Sequence, residues 1–131
     1  MYKILEERNL LDKVIFGTFN EEVTQYVDDN YPKLVRSANM GEVVEFYIAS
    51  MINDKDYEPP FTVLQIPFCN WEDSYYLNFG TAKVINYAHS KNLAVQYWTI
   101  NDAEDMEYLI SIGADAIMSD YPDILYNAVN S

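Results

Sequence analysis

Apolar positions along this chain switch repeatedly between two periods. From Leu93 to Thr99 the run LAVQYWT alternates small and aliphatic residues with polar and aromatic ones, as a strand does. A helix start follows. Asn101 and Glu104 have the spacing of a capping box, and Asp102, Glu104 and Asp105 put negative charge where unpaired helix N–H groups point. Met106, Leu109, Ile110 and Ile112 then give a helical apolar side, and Gly113 stands where a left-handed residue closes a helix. A second apolar run, Ala114 to Met118, ends at Ser119-Asp120-Tyr121-Pro122. Strand, helix and strand with short connections predict a parallel βαβ crossover.

The rest of the chain repeats this alternation. Residues 1 to 13 carry Ile4, Leu5, Arg8 and Leu11 at helical spacing with no start signal, so they are expected to be the end of a helix begun upstream. Val14 to Phe19 reads as a buried strand, with Asn20 as N-cap of a helix that ends near Asn30, before Pro32. Leu34 to Ala38 is a second strand. Asn39 to Gly41 reads as a turn, and a helix from Glu42 to Met51 follows. Phe61 to Pro67 is a third strand. Phe68 to Gly80 is irregular and aromatic, with Trp71, Tyr75, Tyr76 and Phe79. Thr81 caps a helix ending at Asn92, and Ile124 to Val129 forms a last short helix. Five strands about 20 to 30 residues apart, each followed by a helix, predict an α/β domain with a parallel sheet. A flavodoxin-like sheet would need a better phosphate loop than Gly17-Thr18-Phe19-Asn20.

Composition narrows the function. Half of the 131 residues are apolar, enough for one domain, residues 1–131, with one core. A net charge of −13 repels phosphate backbones and anionic lipid, so nucleic acid is not an expected partner. No run reaches the roughly 18 apolar residues of a membrane span. Charges near Met1 argue against an export signal, and the expectation is a cytoplasmic protein. Cys69, the only cysteine, reads as a packed thiol. His89, the only histidine, reads as a packed or partly exposed helix residue. Glu72-Asp73, Asp28-Asp29 and the Asp54/Asp56 pair lack further ligands at recognisable spacing and read as solvated charge, so no metal ligands are expected.

Tyr97-Trp98-Thr99-Ile100-Asn101-Asp102, a helix, then Gly113-Ala114-Asp115-Ala116-Ile117-Met118-Ser119-Asp120-Tyr121-Pro122 resembles the C-terminal signature of the glycerophosphodiester phosphodiesterases. That pattern runs Trp-Thr-Val-Asn, a helix, then Gly-Val-Asp-Gly-Ile-Ile-Thr-Asp-x-Pro. Ala116 and Ser119 are mild departures from it. Thr18-Phe19-Asn20 resembles the Ser-Phe-Asn at the end of the family's fourth strand.

The resemblance implies a partial TIM (β/α) barrel: about five parallel strand–helix units, the family's strands four to eight, against about 250 residues for a whole barrel. The family's His-Arg pair, Glu-x-Asp pair and third-strand Glu, which hold a divalent metal (calcium or magnesium) and move protons, have no counterpart here. No catalytic residue and no cofactor is therefore expected in residues 1–131, and hydrolysis by them alone is not expected. Phe19 and Trp98 match positions at strand ends that line the family's substrate pocket; a pocket wall and simple rim packing both remain open for them. Asp120 reads as a turn residue capping the last helix, and Gln65 as pointing into the barrel without an assigned role. The implied partners are the missing N-terminal part of the barrel, or a second copy through the exposed edge at Val14–Thr18, with a small glycerophosphodiester bound if the barrel is completed. The alternative is a truncated, non-catalytic binding or assembly module.

Overall fold

The computed structural model describes residues 1–68 and 77–130 of the chain. Cys69, Trp71, Glu72, Asp73, Tyr75 and Tyr76 lie outside the described residues. Among the described residues six helices and three strands follow in the order α1 Tyr2–Glu7, α2 Glu21–Asn30, α3 Met40–Ile52, β1 Val63–Pro67, α4 Ala82–Ser90, β2 Ala94–Trp98, α5 Ala103–Ser111, β3 Ala116–Ile117 and α6 Pro122–Val129. The strands form one parallel sheet in the order β1-β2-β3. Val63 lies opposite Ala94 and Pro67 opposite Trp98, and Gln96 lies opposite Ala116.

Among the described residues the five expected strands become three. Of the first two, only isolated parallel bridges form, Phe16 to Arg36 and Ser37 to Val63. They nevertheless continue the sheet in chain order. Phe16 N–H donates to Val35 O and Ser37 N–H to Phe16 O, while Ala38 N–H donates to Val63 O. The reason for the short ladders is local. Leu34 N–H is held in a turn by Tyr31 O, and at Asn39 the chain already enters α3, so few residues between them are free to pair.

Alternation along the strands divides the sheet into two faces. Leu64, Ile66, Val95 and Tyr97 are fully buried beneath the helices, with Phe46, Val84, Ile85, Met106 and Leu109. Each such aliphatic side chain contributes about 1.5–3 kcal/mol of burial. Gln65, Gln96 and Trp98 have the opposite phase and are only half-buried, on the face away from this core.

Several boundaries differ from expectation. Residues 1–13 are not one helix. Asn9 adopts φ 54°, closing α1, and Leu11–Lys13 is a separate 3-10 turn. Asn39 is not in a free turn: it caps α3 in a complete capping box with Glu42. Asn101 does not cap α5. Asp102 does, accepting from Glu104 N–H and Asp105 N–H. The expected caps at Asn20 and Thr81 form. Gly113 takes φ 98°; its N–H reaches Ile110 O and that of Ala114 reaches Leu109 O, the paired bonds of a Schellman ending. Asn92 (φ 58°) ends α4 in the same way, with Asn92 N–H on His89 O and Leu93 N–H on Ala88 O.

A buried arginine fastens the outer layer. Arg36, 4% exposed, donates through Nε and Nη2 to Asp28 of α2 and through Nη1 and Nη2 to Glu42 of α3. Burial would lower the guanidinium pKa, but bonds to Glu42 and Asp28 outweigh it and hold it above the ordinary value. Asp28, expected as surface charge, is thus ion-paired while its side chain stays 41% exposed. Among the described residues no helix is long and apolar enough to cross a membrane.

Candidate functional site

The C-terminal ends of the parallel segments converge on a cleft of about 230 Å³. Trp98 is the last residue of β2, Met118 follows β3, and Phe19 follows the first bridge segment. Gly17, Thr18, Ser37, Ala38 and Gln65 complete the lining. Loops after parallel strands are where such sheets place ligands, because side chains from several strands meet there around an unpaired sheet end. The rings of Phe19 and Trp98 lie 6.0 Å apart, tilted by 47°, and Phe19 is 63% exposed. Trp98 and Phe19 thus share one wall although 79 residues of sequence separate them.

The polar floor was not expected from the sequence. Gln65 Nε2 donates to Gln96 Oε1 at 3.0 Å, across the register that places the two residues side by side. Gly17 makes room for this amide: a Cβ there would stand 2.8 Å from Gln65 Oε1 and 3.3 Å from Ser37 Oγ. The readable signal was the phase of VLQIP and AVQYW, in which a glutamine interrupts each apolar run at the same register.

Above β2 and β3, Asn101 bridges two loops. Its Nδ2 donates to Asp120 Oδ2 at 3.1 Å, while its Oδ1 accepts from Asp120 N–H and Ser119 Oγ. This corrects the expected role of Asp120. Tyr121 stands at the N-cap of α6 without a side-chain cap, and Pro122 begins the helix.

His89 is far from the cleft in the fold. Its Nε2 pairs with Asp115 Oδ2 at 2.9 Å, and the same oxygen accepts Val95 N–H at 2.7 Å, at the starts of β2 and β3. Asp54 Oδ1 accepts Asp56 N–H within its own loop. Among the described residues, no three His, Cys, Asp or Glu side chains converge as a metal would require. Among the described residues, the cleft's side-chain donor atoms are hydroxyls and an amide. A divalent cation of the calcium or magnesium type wants carboxylate oxygens, so this lining does not fit one. It fits a small neutral polyol with an apolar side: flat rings for carbon, hydroxyls and an amide for oxygen.

Residues 2–124 match the family model described as the glycerophosphoryl diester phosphodiesterase family. No curated protein matches the sequence. Solved structures share the fold. A glycerophosphodiester phosphodiesterase from Agrobacterium tumefaciens is 12% identical with a TM-score of 0.68, over 99% of this chain and 52% of that one. One from Parabacteroides distasonis is 15% identical with a TM-score of 0.65, over 98% and 48%. An Oleispira antarctica phosphodiesterase, solved in complex with the product sn-glycerol-3-phosphate, is 18% identical with a TM-score of 0.60, over 89% and 42%. The chain therefore spans about half the length of these structures, or less.

Proposed function

Because the chain belongs to the glycerophosphoryl diester phosphodiesterase family, we propose that it supplies the glycerol-side wall of a phosphodiesterase site. The reaction served is cleavage of a glycerophosphodiester to an alcohol and glycerol 3-phosphate. The observation that carries this reading is the Phe19–Trp98 pair over the Thr18, Ser37 and Gln65 floor, at the strand ends of a family-matched segment. The rings cover the carbon skeleton of glycerol, and the floor offers bonds to its hydroxyls. The product complex of the Oleispira relative supports a ligand of this class.

Residues 1–131 supply binding, and not the bond-breaking chemistry. Charge building on a phosphodiester has to be neutralised, and a proton has to reach the leaving oxygen. Among the described residues the cleft lining carries no cation and no titratable acid or base, and the single histidine serves Asp115 elsewhere. The complete reaction needs groups from further residues or from a partner chain. The edges at Phe16 and at β3, each paired on one side only among the described residues, are where such strands would add.

Trp98 emission tests the binding claim. In a Trp71→Phe background, titration with glycerophosphocholine should change Trp98 fluorescence with saturation in the millimolar range, typical of a small polar ligand. Phe19→Ala should weaken binding about tenfold, the worth of one lost ring contact. An unchanged spectrum across the titration would refute the assignment.

A further inference from the structure

Helix α3 carries a second apolar face, pointing away from the core. Val43, Phe46, Ala49 and Ser50 are buried against the sheet and α4. On the opposite side, Met40, Val44, Ile48, Met51 and Ile52 are 57, 40, 57, 37 and 70% exposed. Four of these five recur at every fourth position and form one ridge along the helix. An outer helix facing only water carries polar residues there. Nor is this ridge a free edge of the sheet. Arg36 ties one flank of α3 to α2, and on the other flank Lys83 Nζ of α4 donates to Met51 O at 2.9 Å.

We infer that this ridge is the contact surface for a second copy of the chain, joined across a two-fold axis near Ile48. Three observations favour a copy over another occupant. From their fractional exposures the five side chains leave about 500 Å² open, the size of the largest apolar patch on a typical monomer, which is often functional. A self-contact that covered the whole ridge on both copies would bury about 1,000 Å², the lower bound for a specific interface. The charge is also suitable. Of the 21 acidic residues only Glu42 and Glu45 lie on α3; Glu42 is held by Arg36, and both line the groove toward α2. The ridge itself is uncharged, so two strongly acidic chains can meet there. Finally, an i, i+4 ridge packs into the grooves of an identical helix. In an antiparallel crossing the helix dipoles oppose. An anionic membrane would be repelled by the net charge of −13. This inference does not rest on the phosphodiesterase reading.

Sedimentation velocity across a dilution series decides it. The chain should show a concentration-dependent dimer that tightens with added salt, as repulsion between the acidic bodies is screened. Ile48→Glu should weaken the dimer about 100-fold, since it buries an unpaired charge at the axis. Ile15→Lys, at the sheet edge, should leave it unchanged. If Ile48→Glu loses its far-ultraviolet dichroism, two variants replace it. Ile48→Thr should weaken the dimer by a smaller factor, and Ile48→Cys in a Cys69→Ser background should form an interchain disulfide. A monomer at every concentration overturns the inference, whether or not the chain floats with phosphatidylcholine vesicles. So does a dimer indifferent to residue 48 or abolished by Ile15→Lys.

Discussion

Tyr57 and Tyr97 show how differently two inward phenols are used. Tyr97 is fully buried and donates through its hydroxyl to Phe79 O at 2.7 Å. Tyr57 packs edge-on against Phe46 and tilted against Tyr87, but its buried hydroxyl finds no partner among the described residues. Tyr97→Phe should therefore cost about 1 kcal/mol, and Tyr57→Phe should stabilise by about 1 kcal/mol by removing an unsatisfied group. Urea unfolding measures both. Burial pushes Tyr57 up to about 12 from the ordinary 10.0, helped by Glu45 and Glu42, and pushes Tyr97 up as well. Both phenols are neutral in the fold where the unfolded chain has begun to ionise. Their contribution is complete below pH 10 and is lost as pH rises through the folded value, between 10 and about 12 for Tyr57. Tyr57→Phe should flatten that alkaline loss; an identical slope in both proteins would contradict the assignment.

At the scale of elements, helix ends carry much of the specification. Asn39 accepts Glu42 N–H at 3.0 Å, and the Glu42 carboxylate returns to Asn39 N–H at 2.8 Å while also holding Arg36. Cap and arginine clip therefore share one carboxylate. Asn39→Ala should cost about 1–2 kcal/mol for the lost cap. Arg36→Met should cost about 3 kcal/mol, because Glu42 is 14% exposed and loses its cation, whereas Asp28, 41% exposed, recovers part of its solvation. The two should not add, since both act through Glu42; a double-mutant cycle in urea checks this, and strict additivity would exclude the shared role. Asn9, Asn53 and Asn92, all near φ 55°, close three helices in the left-handed conformation that asparagine tolerates. The ending of α4 near Asn92 was readable from the sequence; the break at Asn9 was not, because Leu11 continued the helical period beyond it. Spacing alone marks Asn101 as a cap. Its neighbour Asp102 reaches the same helix start, and the loop after β3 takes Asn101 instead.

For the whole molecule, the decisive feature is what residues 1–131 hold together and what they do not. They cover one face of a parallel sheet with helices and leave polar and aromatic residues on the other. With calcium or magnesium added, these residues alone should release no glycerol 3-phosphate from glycerophosphocholine above the buffer rate, measured by a coupled assay. Metal-dependent turnover would refute the division between binding wall and chemistry. By itself the sequence determined the alternation of helices with parallel extended segments, most helix ends and the family. Those rest on local period, on caps within a few residues, and on an ordered motif. Only the tertiary structure decided which extended segments earn a ladder, which carboxylate clips the helices, and which side chains meet. Gln65 beside Gln96, Phe19 beside Trp98 and Asp120 beside Asn101 are contacts between residues 19 to 79 positions apart. Their partners are chosen by how the elements pack, and no local spacing encodes that choice.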